Sequence, residues 1–140
     1  MERPIKAREV KAVTQSERQK ITRANDKMCS ELVRRRDFTR FKGCCSRCGH
    51  AVQSWRDLQW AHLISRSHLK TRWNPDVACG ACAGCHMFID RDMEAKQALI
   101  DKLIGLDKYQ MLKAAARDTG KVDYMGWNLY LKAELEKLEE

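Results

Sequence analysis

Seven cysteines and four histidines carry most of the chemistry available to this chain of 140 residues. Four of the cysteines form two C-x-x-C pairs, Cys45 with Cys48 and Cys82 with Cys85, and 33 residues lie between the pairs. Two thiolates at this spacing can face one ion from a single tight turn, and two such turns complete the closed tetrahedral coordination of a structural Zn²⁺. A redox-active C-x-x-C and four unrelated buried thiols are the other readings. Both fit less well, because there are two pairs and no thioredoxin-like βαβ pattern surrounds either. Cys44 adjoins Cys45 and competes for the site, whereas Cys29 and Cys79 read as reduced core thiols. An odd count of seven cannot be wholly paired in disulfides.

The histidines add a second layer. His62 lies within LQWAHLIS, and His86 directly follows the second pair. A zinc joining the pairs draws the segment bearing His86 toward the one leading into His62, so the two imidazoles are expected to converge. A neutral His62 can take a proton from water near pH 7, and His86 can hold a catalytic divalent metal. Asp90 stands four residues after His86, on the same helical face, and is a further candidate ligand. The plainer readings are a hydrogen-bonded core histidine at 62, a helix-start residue or extra zinc ligand at 86, and a helix-dipole charge at 90. His50 and His68 read as loop residues.

These residues need elements to position them. Ile21, Met28, Leu32 and Val33 recur at helical spacing between Ser16 and Arg36, with charges on the opposite face, which predicts an amphipathic helix. LQWAHLIS alternates as a strand does, residues 77–79 are its expected partner, and a helix is expected from near Ala83. Between the strands, RSHLKTRWNPD ends in a turn at Asn74-Pro75-Asp76. Three helical stretches follow: DMEAKQALIDKLI, LDKYQMLKAAAR and VDYMGWNLYLKAELEKLEE. They are broken at Gly105 and at Asp118-Thr119-Gly120. Leu99, Ile100, Leu103, Ile104, Tyr109, Leu112, Trp127, Leu129 and Leu131 are their expected packing faces.

The fold class predicted is α+β, one compact unit of three parts. Residues 1–43 form a basic arm and helix, residues 44–90 a zinc-bound core, and residues 91–140 a helical subdomain. A hydrophobic share of 44% with 33% charged permits a modest core, to which a metal staple would add stability. No apolar run approaches the length of a membrane span, and the charged N-terminal stretch is unlike a secretory signal, so a cytoplasmic location is expected. Basic residues exceed acidic ones by 27 to 19. The excess is +7 over residues 1–43 and +3 over 44–86, against −2 over 87–140. Four thiolates with one Zn²⁺ lower the formal +8 to +6. A polyanion, most simply nucleic acid, suits such a surface, although a solvated charge excess would give the same composition.

The blocks CCSRCGH, WAHLISRSHLKTRWNPD and CGACAGCHMFID resemble the zinc-stapled HNH (ββα-metal) endonucleases, particularly phage members related to the lambdoid NinG/Rap recombination endonucleases. The likeness spans residues 44–90; the helix ending in VRRRD and the helical tail are similar in a less specific way. The resemblance implies a zinc-stapled ββα-metal core with flanking helices. His62 would be the general base and His86 a ligand of a catalytic Mg²⁺ or Mn²⁺. The implied products carry 5′-phosphate and 3′-hydroxyl ends. Arg66, Lys70 and Arg72 would grip backbone phosphates, as Arg34, Arg35 and Arg36 would before the first knuckle. Implied partners are DNA, including recombination or branched intermediates, and phage recombination or packaging proteins; symmetric cutting of both strands would favour a homodimer. The alternatives are a non-catalytic zinc module that binds DNA or a phage protein, and a scaffold that docks through its C-terminal helices. Two positions depart from the family pattern. Ala61 stands where many members carry a metal ligand, and Val77 stands where the middle Asn is normally found, Asn74 being three residues too early.

Overall fold

The computed structural model describes residues 14–139. The arm expected over the first residues therefore falls mainly outside the described residues. Helix α1 spans Gln15–Arg40 and starts where Thr14 and Glu17 form a reciprocal capping box. It runs four residues beyond the periodic segment because Asp37 turns inward and finds partners there. A two-stranded antiparallel sheet follows, with β1 at Gln59–His62 and β2 at Ala78–Ala81. Helices α2 (Ala83–Arg91), α3 (Met93–Leu103), α4 (Leu106–Ala116) and α5 (Tyr124–Leu138) complete a mostly helical α+β fold. No helix among the described residues is long and apolar enough to cross a membrane.

Strand alternation divides the core into two sides. Register pairs Ala61 with Cys79 and Gln59 with Ala81, so these four face one way. Ala61, Cys79 and Ala81 pack with Leu58, Leu63, Cys85, Ile89, Leu99 and Ile100, on the side of α2 and α3. Trp60, Gly80, His62 and Ala78 face the other way, toward α1, where Cys29, Leu32, Val33, Trp73 and Leu131 form the second cluster. Cys29 and Cys79 are fully buried, and burial pushes both thiols up to about 12, so they stay neutral packing groups.

The sheet lies close on α1. At Gly80 a Cβ would meet Leu58 Cδ1 at 3.2 Å and Asp37 Cβ at 3.3 Å, which leaves little room for any other residue. The fully buried Asp37 carboxylate accepts from Gly80 N at 2.7 Å and from the Arg36 guanidinium at 2.9 Å. Helix α5 closes the far side through a buried amide pair: Asn128 Nδ2 donates to Asn25 Oδ1, and Asn25 Nδ2 donates to Tyr124 O. Gly105 breaks the chain between α3 and α4 with φ +82°, a conformation that glycine adopts without strain. One expected packing residue differs. Leu129 is 63% exposed, and Asn128 takes the inward position because it is the residue whose amide meets Asn25.

Candidate functional site

Cys45 and Cys48 lie in the turn after α1, Cys82 is the N-cap of α2, and Cys85 sits in that helix's first turn. Their four Sγ atoms lie within 4.8 Å of one another, and Cys48 Sγ is 3.8 Å from Cys82 Sγ. A tetrahedron with Zn–S bonds of about 2.3 Å has edges of about 3.8 Å, so the tetrad has the dimensions of a zinc site. Backbone N–H groups already serve the sulfurs. Cys82 N and Arg47 N donate to Cys45 Sγ at 3.2 and 3.5 Å, and His50 N donates to Cys48 Sγ at 3.4 Å. The Arg47 guanidinium reaches Cys85 Sγ at 3.5 Å. Burial alone would raise the Cys45 thiol, but the N–H groups of Cys82, Cys48 and Arg47 outweigh it and bring it to about 7. Burial pushes Cys85 up to about 12 despite Arg47. Thiols packed this tightly need a cation before all can ionise, and a divalent metal supplies that charge. Among the described residues, no other group of three or more Cys, His, Asp or Glu side chains is arranged to hold a metal. Cys44 stands outside the tetrad, its Sγ directed at Lys42 O at 3.8 Å.

The helix that the tetrad anchors carries His86. Its Nδ1 lies 2.8 Å from Gln59 Oε1, and its Nε2 lies 3.6 Å from Asp90 Oδ2. A carbonyl oxygen can only accept, so Nδ1 donates to Gln59 and Nε2 is turned to the Asp90 side. Gln59, the first residue of β1, thereby orients a candidate ligand. Nothing in the sequence singled it out, although the expected strand placed it on the face opposite Trp60 and His62.

His62 ends β1 on the α1 side, its ring 4.1 Å from that of Trp60. His86, on α2, bonds Gln59, whose strand face is opposite that of His62, and His62 joins no three-ligand group with His86 and Asp90. The two histidines are close enough for His86 to bear on the His62 charge. Desolvation, followed by the Arg66 and Arg72 charges, holds the His62 pKa down at about 4, so the ring is neutral at physiological pH. Its Nε2 is buried and has no hydrogen-bond partner.

Asp26 of α1 organises the loop after His62. Arg72 donates to both its oxygens, from Nε at 2.9 Å and from NH2 at 2.6 Å, and Trp73 Nε1 donates at 2.8 Å. Arg66 approaches to 3.6 Å. One acidic residue among the charges of a basic helix gave no sequence signal, since its partners stand 40 or more positions away.

The six basic residues expected at a phosphate backbone divide by what they already hold. Arg36 donates to both Asp37 oxygens, to Pro75 O and to Ala78 O, which uses four of its five N–H groups and makes it a structural residue. Arg72 is committed to Asp26 and to Arg66 O. Lys70 pairs with Asp118 at 3.5 Å. Arg66 is 59% exposed and is held only loosely. Arg34 and Arg35 lie against Trp55. Comparison with protein-family models, with curated proteins and with solved structures gives no match, so the site stands on its own geometry.

Proposed function

We propose that the protein is a metal-dependent DNA endonuclease of the zinc-stapled HNH class, acting on duplex or branched DNA. The observation that carries this reading is the order of parts. A cysteine knuckle, a two-stranded antiparallel sheet whose first strand ends at the neutral His62 with its Nε2 unpartnered, and a helix bearing His86 follow in that order, with one cysteine tetrad joining knuckle to helix. That order is in keeping with the ββα-metal plan the sequence resembles. Arg66, exposed beside His62, gives a phosphate a place to dock next to the base, and the phosphate's negative charge would raise the His62 pKa toward the working range.

In this reading the neutral His62 imidazole accepts the proton of a water whose oxygen attacks phosphorus. The P–O3′ bond breaks, leaving 5′-phosphate and, after protonation, 3′-hydroxyl ends. His86 and Asp90 would hold a Mg²⁺ or Mn²⁺, whose contribution is neutralisation of charge on the phosphoryl and leaving oxygens. Magnesium keeps several waters and commonly takes one or two protein carboxylates, so a sparse ligand set suits it. Ala61 is fully buried on the α2 side and adds no ligand there. Asn74 caps Asp76 N at 3.0 Å and does not brace the base loop; Asp26 does so from α1.

A second reading, a zinc-bound module that binds DNA without cutting it, is favoured by one observation: His62 faces α1, whereas His86 on α2 bonds Gln59 on the other strand face, and the two join in no ligand group. Incubating zinc-loaded protein with labelled linear, nicked and four-way-junction DNA, with Mg²⁺, Mn²⁺ or no added ion, separates the two. Divalent-dependent cutting is expected. Retention of DNA without cutting in either ion would establish the second reading.

A further inference from the structure

We infer that Arg34, Arg35, Arg56 and Trp55 form a second nucleic-acid contact, a guanidinium cluster built on an indole that grips the sugar-phosphate backbone beside the proposed cleavage site. The inference deepens the endonuclease reading and rests on its choice of DNA as substrate.

Three guanidinium carbons surround one ring: Arg56 at 4.5 Å from its centroid, Arg34 at 4.9 Å and Arg35 at 6.0 Å. Like charges disperse unless something holds them, and the indole does so through its π face. Acidic compensation is thin. Glu31 lies 3.8 Å from Arg35, whereas neither Arg34 nor Arg56 has a carboxylate within ion-pair distance. Asp57, the nearest acid in sequence, is turned back to accept from Ser54 N at 3.1 Å. Burial lowers the Arg34 pKa and the Arg56 charge lowers it further, while Glu31 opposes, as expected of positive groups awaiting an anion.

The elements holding the cluster are rigid. Arg34 and Arg35 project from α1, Arg34 being fixed by its Nε bond to Ser30 O at 3.1 Å. Trp55 and Arg56 belong to a 3₁₀ turn, Trp55–Asp57, capped by Ser54. Planar guanidiniums presented this way favour bidentate contact with phosphate oxygens. The cluster also adjoins the site. Arg56 precedes Gln59, the partner of His86, by three residues, a span of at most about 11 Å.

The test is fluorescence anisotropy of a labelled duplex without divalent metal, titrated from low to moderate salt, for zinc-loaded wild type, Arg56→Ala and Arg34→Ala/Arg56→Ala. Each phosphate contact removed should lower the slope of log K against log[salt] by about 1, and the double variant should bind about tenfold or more weakly at intermediate salt. Arg56 is exposed and makes no ion pair, so its single variant keeps the test informative if the double variant misfolds. Unchanged affinity and slope in Arg56→Ala and in a folded double variant, with wild type binding DNA, would overturn this inference alone. Failure of wild type to bind DNA at low salt would overturn both it and the endonuclease reading. Loss of binding to heparin but not to DNA in the variants would assign the cluster to another polyanion and likewise refute it.

Discussion

At the scale of single residues, His62 sits in surroundings far from those of water. Desolvation and two neighbouring guanidiniums hold its pKa at about 4, against 6.5 for the free side chain. Between those values the unfolded chain binds a proton that the folded chain refuses, so stability rises with pH there and is lost as pH falls from 6.5 toward 4. Urea midpoints measured across that window should fall steeply on acidification for wild type and less steeply for His62→Gln. Equal slopes would mean that the imidazole is not held neutral. The sequence marked His62 and His86 through their surroundings, but it could not show which nitrogen each presents. That depends on Gln59 and Trp60, whose positions follow from strand register and from no local motif.

At the scale of elements, the loop between β1 and β2 depends on α1. Asp26 holds Arg72, Trp73 and, more loosely, Arg66, while Lys70 pairs with Asp118 in the α4–α5 connection. Asp26→Asn removes the bidentate, charge-assisted pairing with Arg72 and should cost about 2 kcal/mol of stability. Amide exchange should accelerate selectively across residues 65–73, DNA nicking should fall, and zinc content should be unchanged. Uniform exchange across the chain would instead mark Asp26 as a general stabiliser. Element types were legible in advance: the helical periodicity around Leu32, the alternation in LQWAHLIS and the Gly105 break all appear in the fold. The boundaries were less so. Helix α1 continues to Arg40 because Asp37 finds Arg36 and Gly80 N, and Leu129 is exposed because Asn128 is needed at Asn25; both causes lie in distant parts of the chain. The same reason explains why Arg36 looked like a phosphate contact beside Arg34 and Arg35 yet serves as a partly buried tether.

For the whole molecule, the cysteine tetrad joins the turn after α1 to the start of α2 and so fixes both sides of the sheet. Zinc binding should be inseparable from folding of this region. Cys45→Ser should purify with substoichiometric zinc and a markedly lower melting temperature, whereas Cys44→Ser should retain one zinc per chain, because Cys44 stands apart from the tetrad. Equal loss in the two variants would mean that the ligand set is misassigned. Charge is distributed on the same scale. The basic excess is concentrated in the first two thirds of the chain, and α1 carries it past both the His62 loop and the Trp55 cluster. Weakly sequence-specific, strongly salt-dependent DNA binding is what such a surface supports.

The central claim is that His62 activates water on a phosphodiester, and single-turnover nicking tests it most directly. Zinc-loaded wild type and His62→Ala would be compared on the same labelled DNA with Mg²⁺ or Mn²⁺, with zinc content and DNA affinity measured on the same preparations. The prediction is divalent-dependent nicking by wild type and a loss of about 10²- to 10⁴-fold in the variant, with zinc and affinity unchanged. Nicking that survives the substitution, or wild type that binds DNA and cuts it in neither ion, would contradict the claim.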